Sequence, residues 1–243
     1  RQVSAQPPSW VGIGKHAEYE ITFQSNISGY PSGTVGSLSW EITGVYTNYA
    51  TVEWQVDIQS DIEALIGGEL PFVTEGSDDW YYDEDTSFIL GSTTLSQLAN
   101  NEIPPSLVGV TLTSEVKSTK AAGSFNCYKL SLSQSIPYDA YEFTMTYNTW
   151  WDKATGVLVA LTLQIQVPYQ AQEYQVNFEM TSTNAAQPTG GTGGLGGIGG
   201  DMMIWIIVAI VIVIVVVGAV FALKRMKKPA VTPTPLPPPP PPY

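Results

Sequence analysis

The chain has 243 residues, 44% of them hydrophobic, with 10 basic against 22 acidic side chains and a charged fraction of only 13%. That fraction is about half the ~25% of a soluble globular protein, so part of the chain is expected to face something other than water. The net charge of −12 argues against nucleic acid as a partner, since phosphate binding needs clustered Lys and Arg, and a single cysteine excludes an internal disulfide framework or a thiolate zinc site.

The charge is unevenly distributed. All 22 acids lie at or before Asp201, together with the six bases Arg1, Lys15, Lys117, Lys120, Lys129 and Lys153, giving 6 − 22 = −16 for that part; the other four bases, Lys224, Arg225, Lys227 and Lys228, fall within five residues. Four segments follow: an extracellular β-rich domain over 1–182, a glycine-rich linker over 183–201, a transmembrane helix over 202–223, and a basic, proline-rich cytoplasmic tail over 224–243. The start at Arg1 rather than Met leads us to expect a removed signal peptide, with an artificial start as the alternative.

In chain order, apolar and polar residues alternate with the period of two that marks half-buried strands. Tyr19, Ile21 and Phe23 form the first such series; Leu38, Trp40 and Ile42 the next; then Val52, Trp54, Val56 and Ile58. The series resumes at Tyr128, Leu130 and Leu132, at Phe143, Met145 and Tyr147, at odd positions from Val157 to Val167, and at Tyr174, Val176, Phe178 and Met180. Alternation of this kind belongs to antiparallel strands with one wet face. We therefore expect a mainly β fold, a curved antiparallel sheet (half-barrel or sandwich) with one or two short helices at 61–66 and 94–101, the second stopped by Pro104-Pro105.

Several residues along this domain are candidates for chemistry. Asn26-Ile27-Ser28 is a glycosylation sequon in a turn; such triplets also arise by chance. His16, the sole histidine, precedes the first strand without a nucleophile-elbow motif, so triad catalysis is not expected. The run from Glu75 to Asp85 holds six carboxylates in eleven residues. Of these, Asp78, Asp79, Asp83 and Asp85 are a candidate Ca²⁺ site, because calcium takes six to eight oxygen ligands. Their spacing is not that of an EF-hand loop, and a solvated acidic loop pinned by Trp80, Tyr81 and Tyr82 is the favoured reading. The same aromatics beside acids also fit a carbohydrate- or protein-binding patch. Cys127 falls in a strand pattern and is expected to pack as a small hydrophobe, with an intermolecular disulfide as the alternative. Paired carboxylates for glycoside hydrolysis have no motif behind them.

The order Ala122-Gly123-Ser124-Phe125-Asn126-Cys127-Tyr128-Lys129-Leu130, then Tyr147-Asn148-Thr149-Trp150-Trp151-Asp152-Lys153-Ala154-Thr155-Gly156-Val157-Leu158, resembles the strand, strand and W-x-D-K-x-T-G-V-L hairpin of lipoprotein-carrier-like half-barrels (LolA/LppX type) and of many archaeal secreted surface domains. The resemblance covers about 45 residues. It implies a curved antiparallel sheet around short helices, sometimes with a hydrophobic ligand in the concave face, and an archaeal-type surface protein. Members of the carrier type are soluble or lipid-anchored, so a membrane helix is a departure. On the residues alone, 152–156 reads as a hairpin loop with Gly156 supplying positive φ.

Residues 188–200, PTGGTGGLGGIGG, contain eight glycines and no charge, a flexible coil in which the linker spans on the order of 25 Å. Residues 202–223, MMIWIIVAIVIVIVVVGAVFAL, are uncharged; as a helix they reach about 33 Å, enough for a ~30 Å hydrocarbon core. Trp205 fits an interfacial anchor, and Gly218 with Ala222 a weak small-xxx-small pair. The bases that follow place the C-terminus in the cytoplasm. In the tail, Leu236, Pro237, Pro238, Pro239, Pro240, Pro241, Pro242 and Tyr243 form polyproline II with overlapping likenesses to EVH1, profilin and WW ligands; an inert spacer is the alternative.

The expected function is that of a non-enzymatic, single-pass cell-surface protein with no cofactor beyond the calcium candidate. Its ectodomain would bind a protein, glycan or lipid, and its tail a cytoplasmic polyproline reader. Carriage of an apolar ligand and service as an accessory subunit of a larger membrane complex are the alternatives.

Overall fold

The computed structural model describes residues 7–26, 32–58, 75–86, 88–107, 109–138, 141–167 and 172–186. The elements are β1 (His16–Ser25), β2 (Gly33–Val45), β3 (Tyr49–Ile58), β4 (Glu75–Tyr81), α1 (Ser92–Ala99), a 3₁₀ turn (Pro105–Leu107), β5 (Thr111–Ser118), β6 (Ser124–Tyr138), β7 (Tyr141–Asp152), β8 (Leu158–Val167) and β9 (Gln172–Thr183). The strands form one open sheet in the order β4-β3-β2-β1-β9-β8-β7-β6-β5, each neighbouring pair antiparallel. Two meanders, β1–β4 and β5–β9, thus join where the first and last strands pair.

The fold is mainly β with a single short helix among the described residues, as the alternation implies. Antiparallel partners share a face, so the register carries one apolar surface across the sheet. Tyr19 stands opposite Leu38 and Met180, Leu38 opposite Val56, and Phe178 opposite Leu161. This inner face is filled by the chain itself. Phe88, Ile89, Leu90, Leu95 and Leu98 belong to the same buried cluster as Tyr19, Trp40 and Leu158, and the Phe88 ring lies 6.1 Å from that of Tyr19. The Tyr19 hydroxyl donates to the Leu158 carbonyl at 2.7 Å and accepts from the Trp40 indole at 3.3 Å, which satisfies two polar groups that burial would otherwise penalise.

Helix α1 begins two residues before the expected position. Its N-cap, Gly91, has no capping side chain of its own; instead the Asp85 carboxylate accepts from the Gly91 N–H at 2.9 Å and from the Thr94 hydroxyl at 3.4 Å. The helix closes on a Schellman arrangement: Asn101 takes φ 59, and the N–H groups of Asn101 and Glu102 donate to Leu98 and Gln97 carbonyls.

Two expectations are corrected. The acidic run from Glu75 is a strand rather than a solvated loop over Glu75–Tyr81, where β4 forms one edge of the sheet against β3. Charged side chains on an edge strand oppose pairing with another chain, which is why a strand here carries so few apolar residues. The odd-position alternation of β8 also understates its burial. Every residue from Val157 to Leu161 is buried, because Trp150 stands beside Ala160 on the outer face and the β5–β6 hairpin reaches across it. The Lys120 N–H donates to Glu179 of β9 at 2.7 Å and its ammonium lies 3.3 Å from Glu20 of β1.

The hairpin loop at 152–156 forms as expected, with Gly156 at φ 74. Ordered structure continues past the expected domain end at 182, since β9 runs to Thr183 and Ala185 and Ala186 are buried. The expected helix at 61–66, most of the linker, the apolar segment 202–223 and the tail lie outside the described residues. Among the described residues no helix is long and apolar enough to cross a membrane.

Candidate functional site

Alternation along β4 sends Trp80 inward and Tyr81 outward. Trp80 is 1% exposed, stacks on Trp10 at 5.7 Å, meets Tyr82 edge-on at 5.3 Å and donates its indole N–H to the Glu84 carbonyl at 3.2 Å. Tyr82 is equally buried, and its hydroxyl lies 2.8 Å from the Tyr46 carbonyl and 2.6 Å from the Tyr49 carbonyl. These two oxygens belong to the β2–β3 turn, which is closed by the Tyr46 N–H donating to Tyr49 at 2.8 Å. Burial pushes the Tyr82 hydroxyl above the ordinary tyrosine range, so it stays a donor and fixes the turn.

What this scaffold displays is a row of three tyrosines. Tyr49 is paired directly with Tyr81 across β3–β4, their ring centres 5.5 Å apart, and Tyr46 stacks on Tyr49 at 4.4 Å with planes inclined by 16°. Tyr46 is 49% and Tyr81 41% exposed, so the row is open on both flanks. A shallow depression lined by Pro7, Val45, Thr47 and Asn48 adjoins it. Partial desolvation, followed by the charge of Asp79 and the neighbouring tyrosines, raises the Tyr49 hydroxyl above its usual value. Tyr49 therefore stays a neutral, hydrogen-bonding phenol beside the Asp79 carboxylate.

The aspartates proposed for calcium are placed separately. Asp78 and Asp79 are neighbours on β4 and point to opposite faces: Asp78 accepts from the Trp54 indole at 3.2 Å, and Asp79 from the Thr51 hydroxyl at 3.0 Å. Asp83 is exposed in the turn after β4, and Asp85 is committed to the start of α1. Among the described residues no group of three or more His, Cys, Asp or Glu side chains is arranged to hold a metal ion.

His16 is the first residue of β1, its ring Nδ1 3.3 Å from the Gly14 carbonyl. Cys127 is fully buried, and burial, with Asp152 next, pushes its thiol up to about 12; it packs as a small hydrophobe, out of reach of an intermolecular disulfide. Asn26 is exposed at the end of β1, and its side-chain oxygen accepts from the Glu173 N–H at 3.0 Å. The tail residues Leu236 to Tyr243 lie outside the described residues.

A second gathering of chemistry lies at the other end of the sheet. Trp150 donates to Glu115 and carries the Lys117 and Lys129 ammonium groups 4.6 and 5.0 Å from its ring centre, with Lys129 3.5 Å from Glu115. At 8% exposure the ring is covered, and Lys117, Lys129 and Glu115 are all engaged with it, so this cluster holds the β5–β7 strands together. Among the described residues the tyrosine row has no such cover. Its members Tyr46 and Tyr49 were not singled out in the sequence; the signal available was a pair of tyrosines flanking the Thr47-Asn48 turn. Protein-family models, characterised proteins and solved structures give no match to this chain.

Proposed function

We propose that the chain is a non-enzymatic, single-pass cell-surface protein whose β-rich domain binds an extracellular partner through Tyr46, Tyr49 and Tyr81, while its proline tail docks a cytoplasmic reader. The observation that carries this reading is the open, stacked row. Tyrosines supply large contact area at low entropic cost and are enriched among residues that dominate binding energy, and a monomer gains little by leaving three of them together at its surface. The membrane span rests on the uncharged residues 202–223 and the bases behind them. Asn26, on the outward side in this topology, is the proposed glycan acceptor.

We read the sheet as curved about its inner face, in the manner of the lipoprotein-carrier-like domains that the 147–158 hairpin resembles. Cargo in that face is the weaker alternative, because Phe88, Ile89, Leu90, Leu95 and Leu98 already fill it. The test is binding of the labelled, detergent-solubilised full chain to intact cells and envelope preparations of its source. Y46S/Y81S should bind at least tenfold more weakly at unchanged thermal stability. Equal binding by the variant would overturn the assignment of the row.

A further inference from the structure

The chemistry of the partner can be read from what surrounds the row. Strand pairing sets Glu41 of β2 directly opposite Glu53 of β3, and Asp57, Glu75 and Asp79 lie on the same outer face as Tyr49 and Tyr81. All five carboxylates are exposed. Like charges directly opposite each other on a sheet are destabilising, so folding alone gives no reason for Glu41 to face Glu53.

Among the described residues no base forms an ion pair with these carboxylates, although His16 of β1 stands opposite Glu41. The ion pairs of the described residues are Lys120 with Glu20 and Lys129 with Glu115. Lys117 and Lys153 sit over Trp150 and Tyr128, and the Lys15 ammonium donates to the Asn184 carbonyl at 2.7 Å. Among the described residues, the outer face of β2–β4 therefore carries anionic charge without ion pairs, and this charge runs along the strands from the aromatic row: Asp79 lies two residues from Tyr81 and Glu53 four from Tyr49, with Glu75 and Asp57 farther off.

We propose that this face docks a protein segment rich in arginine and lysine, with guanidinium groups lying against Tyr46 and Tyr81 and paired to the neighbouring carboxylates. A guanidinium is planar and weakly hydrated, and it both stacks on aromatic rings and pairs with carboxylates in one geometry. Such a partner uses both features of the face and relieves the Glu41–Glu53 repulsion. A neutral glycan would use the rings and leave the repulsion in place. The charge also steers a basic partner toward the row before contact, raising its association rate. This inference rests on the row being the binding surface, and it adds the class of ligand.

The experiment uses the full chain in detergent micelles, with fluorescein-labelled nona-arginine, nona-lysine, cellohexaose and chitohexaose as probes. Nona-arginine should bind more tightly than nona-lysine, and more weakly as salt rises. Y46S/Y81S and E53Q should each weaken it by about three- to tenfold, whereas E102Q, which removes the same charge elsewhere, should not. Equal loss in E53Q and E102Q would mean attraction to net charge alone and would overturn the inference. So would binding of either glycan without the peptides, an outcome that leaves the row intact as a binding surface. If no probe binds, the basic-partner inference fails, and the cell-binding assay decides the row by itself.

Discussion

At the scale of the residue, Gly156 shows how one position can be constrained twice. Its φ of 74 lies where only glycine is unstrained, and an added Cβ would stand 2.8 Å from the Leu90 carbonyl oxygen. That closeness has a cause, because the Leu90 N–H donates to the Gly156 carbonyl at 2.7 Å and Ile89 bridges to Val157, clamping the 88–90 segment on the hairpin. Within the loop, buried Asp152 accepts from the Thr155 hydroxyl at 2.6 Å. Replacing Gly156 with Ala combines backbone strain with a backbone clash and should cost about 1–3 kcal/mol. Gly12→Ala meets only a distant Lys15 methylene and should stay within about 0.5 kcal/mol. Urea unfolding of both variants checks this, and equal midpoints would mean that the 88–90 segment yields freely.

At the scale of the element, α1 depends on a carboxylate outside itself. Burial raises the Asp85 pKa, outweighing the hydrogen bonds from Gly91 and Thr94 that lower it. A carboxyl group with a raised folded pKa takes up a proton on folding between its unfolded and folded values. Its ionised form thus costs stability above the folded pKa, and that cost disappears as pH falls below the unfolded value, about 4. Asp85→Asn keeps an oxygen for the Gly91 N–H without the charge, so it should gain on the wild type at neutral pH and lose that advantage on acidification. Asp85→Ala leaves the helix start uncapped and should cost about 1 kcal/mol. Thermal melts of both variants across pH would show this, and a pH-independent offset for Asp85→Asn would contradict the assigned cause. Elements differ in how far the sequence reveals them, and for a physical reason. Strands β1, β2 and β9 alternate because one face is buried and the other wet. The edge strands β4 and β5 bury so little that Glu75–Tyr81 reads as an acidic loop and Thr111–Ser118 as nothing in particular. The tyrosine row escapes for a related reason: Tyr81 was visible beside its acids, but only the β3–β4 register shows that Tyr49 stands opposite it. The density of carboxylates that suggests calcium is undone by the pleat, which turns Asp78 and Asp79 to opposite faces.

At the scale of the whole molecule, the charge imbalance becomes a property of one surface. The part of the chain through Asp201 carries −16, and on the outer face of β2–β4 that excess is concentrated at Glu41, Glu53, Asp57, Glu75 and Asp79. Self-repulsion of this kind opposes the compact state and is screened within about 10 Å at 0.1 M salt, and within about 3 Å at 1 M. Stability should therefore rise as sodium chloride is raised from low ionic strength, the reverse of what a sheet held by ion pairs would show. Glu53→Lys sharpens the test, because it converts the Glu41 pair from repulsive to attractive. It should stabilise the fold by about 0.2–1 kcal/mol and flatten the salt dependence, while abolishing attraction for a basic probe. A surface kept for folding would lose stability when altered at Glu53; one kept for binding gains stability and loses its partner. Melting temperatures of wild type and Glu53→Lys at low and high salt separate the two. A destabilised Glu53→Lys variant would mean that Glu53 serves the sheet itself.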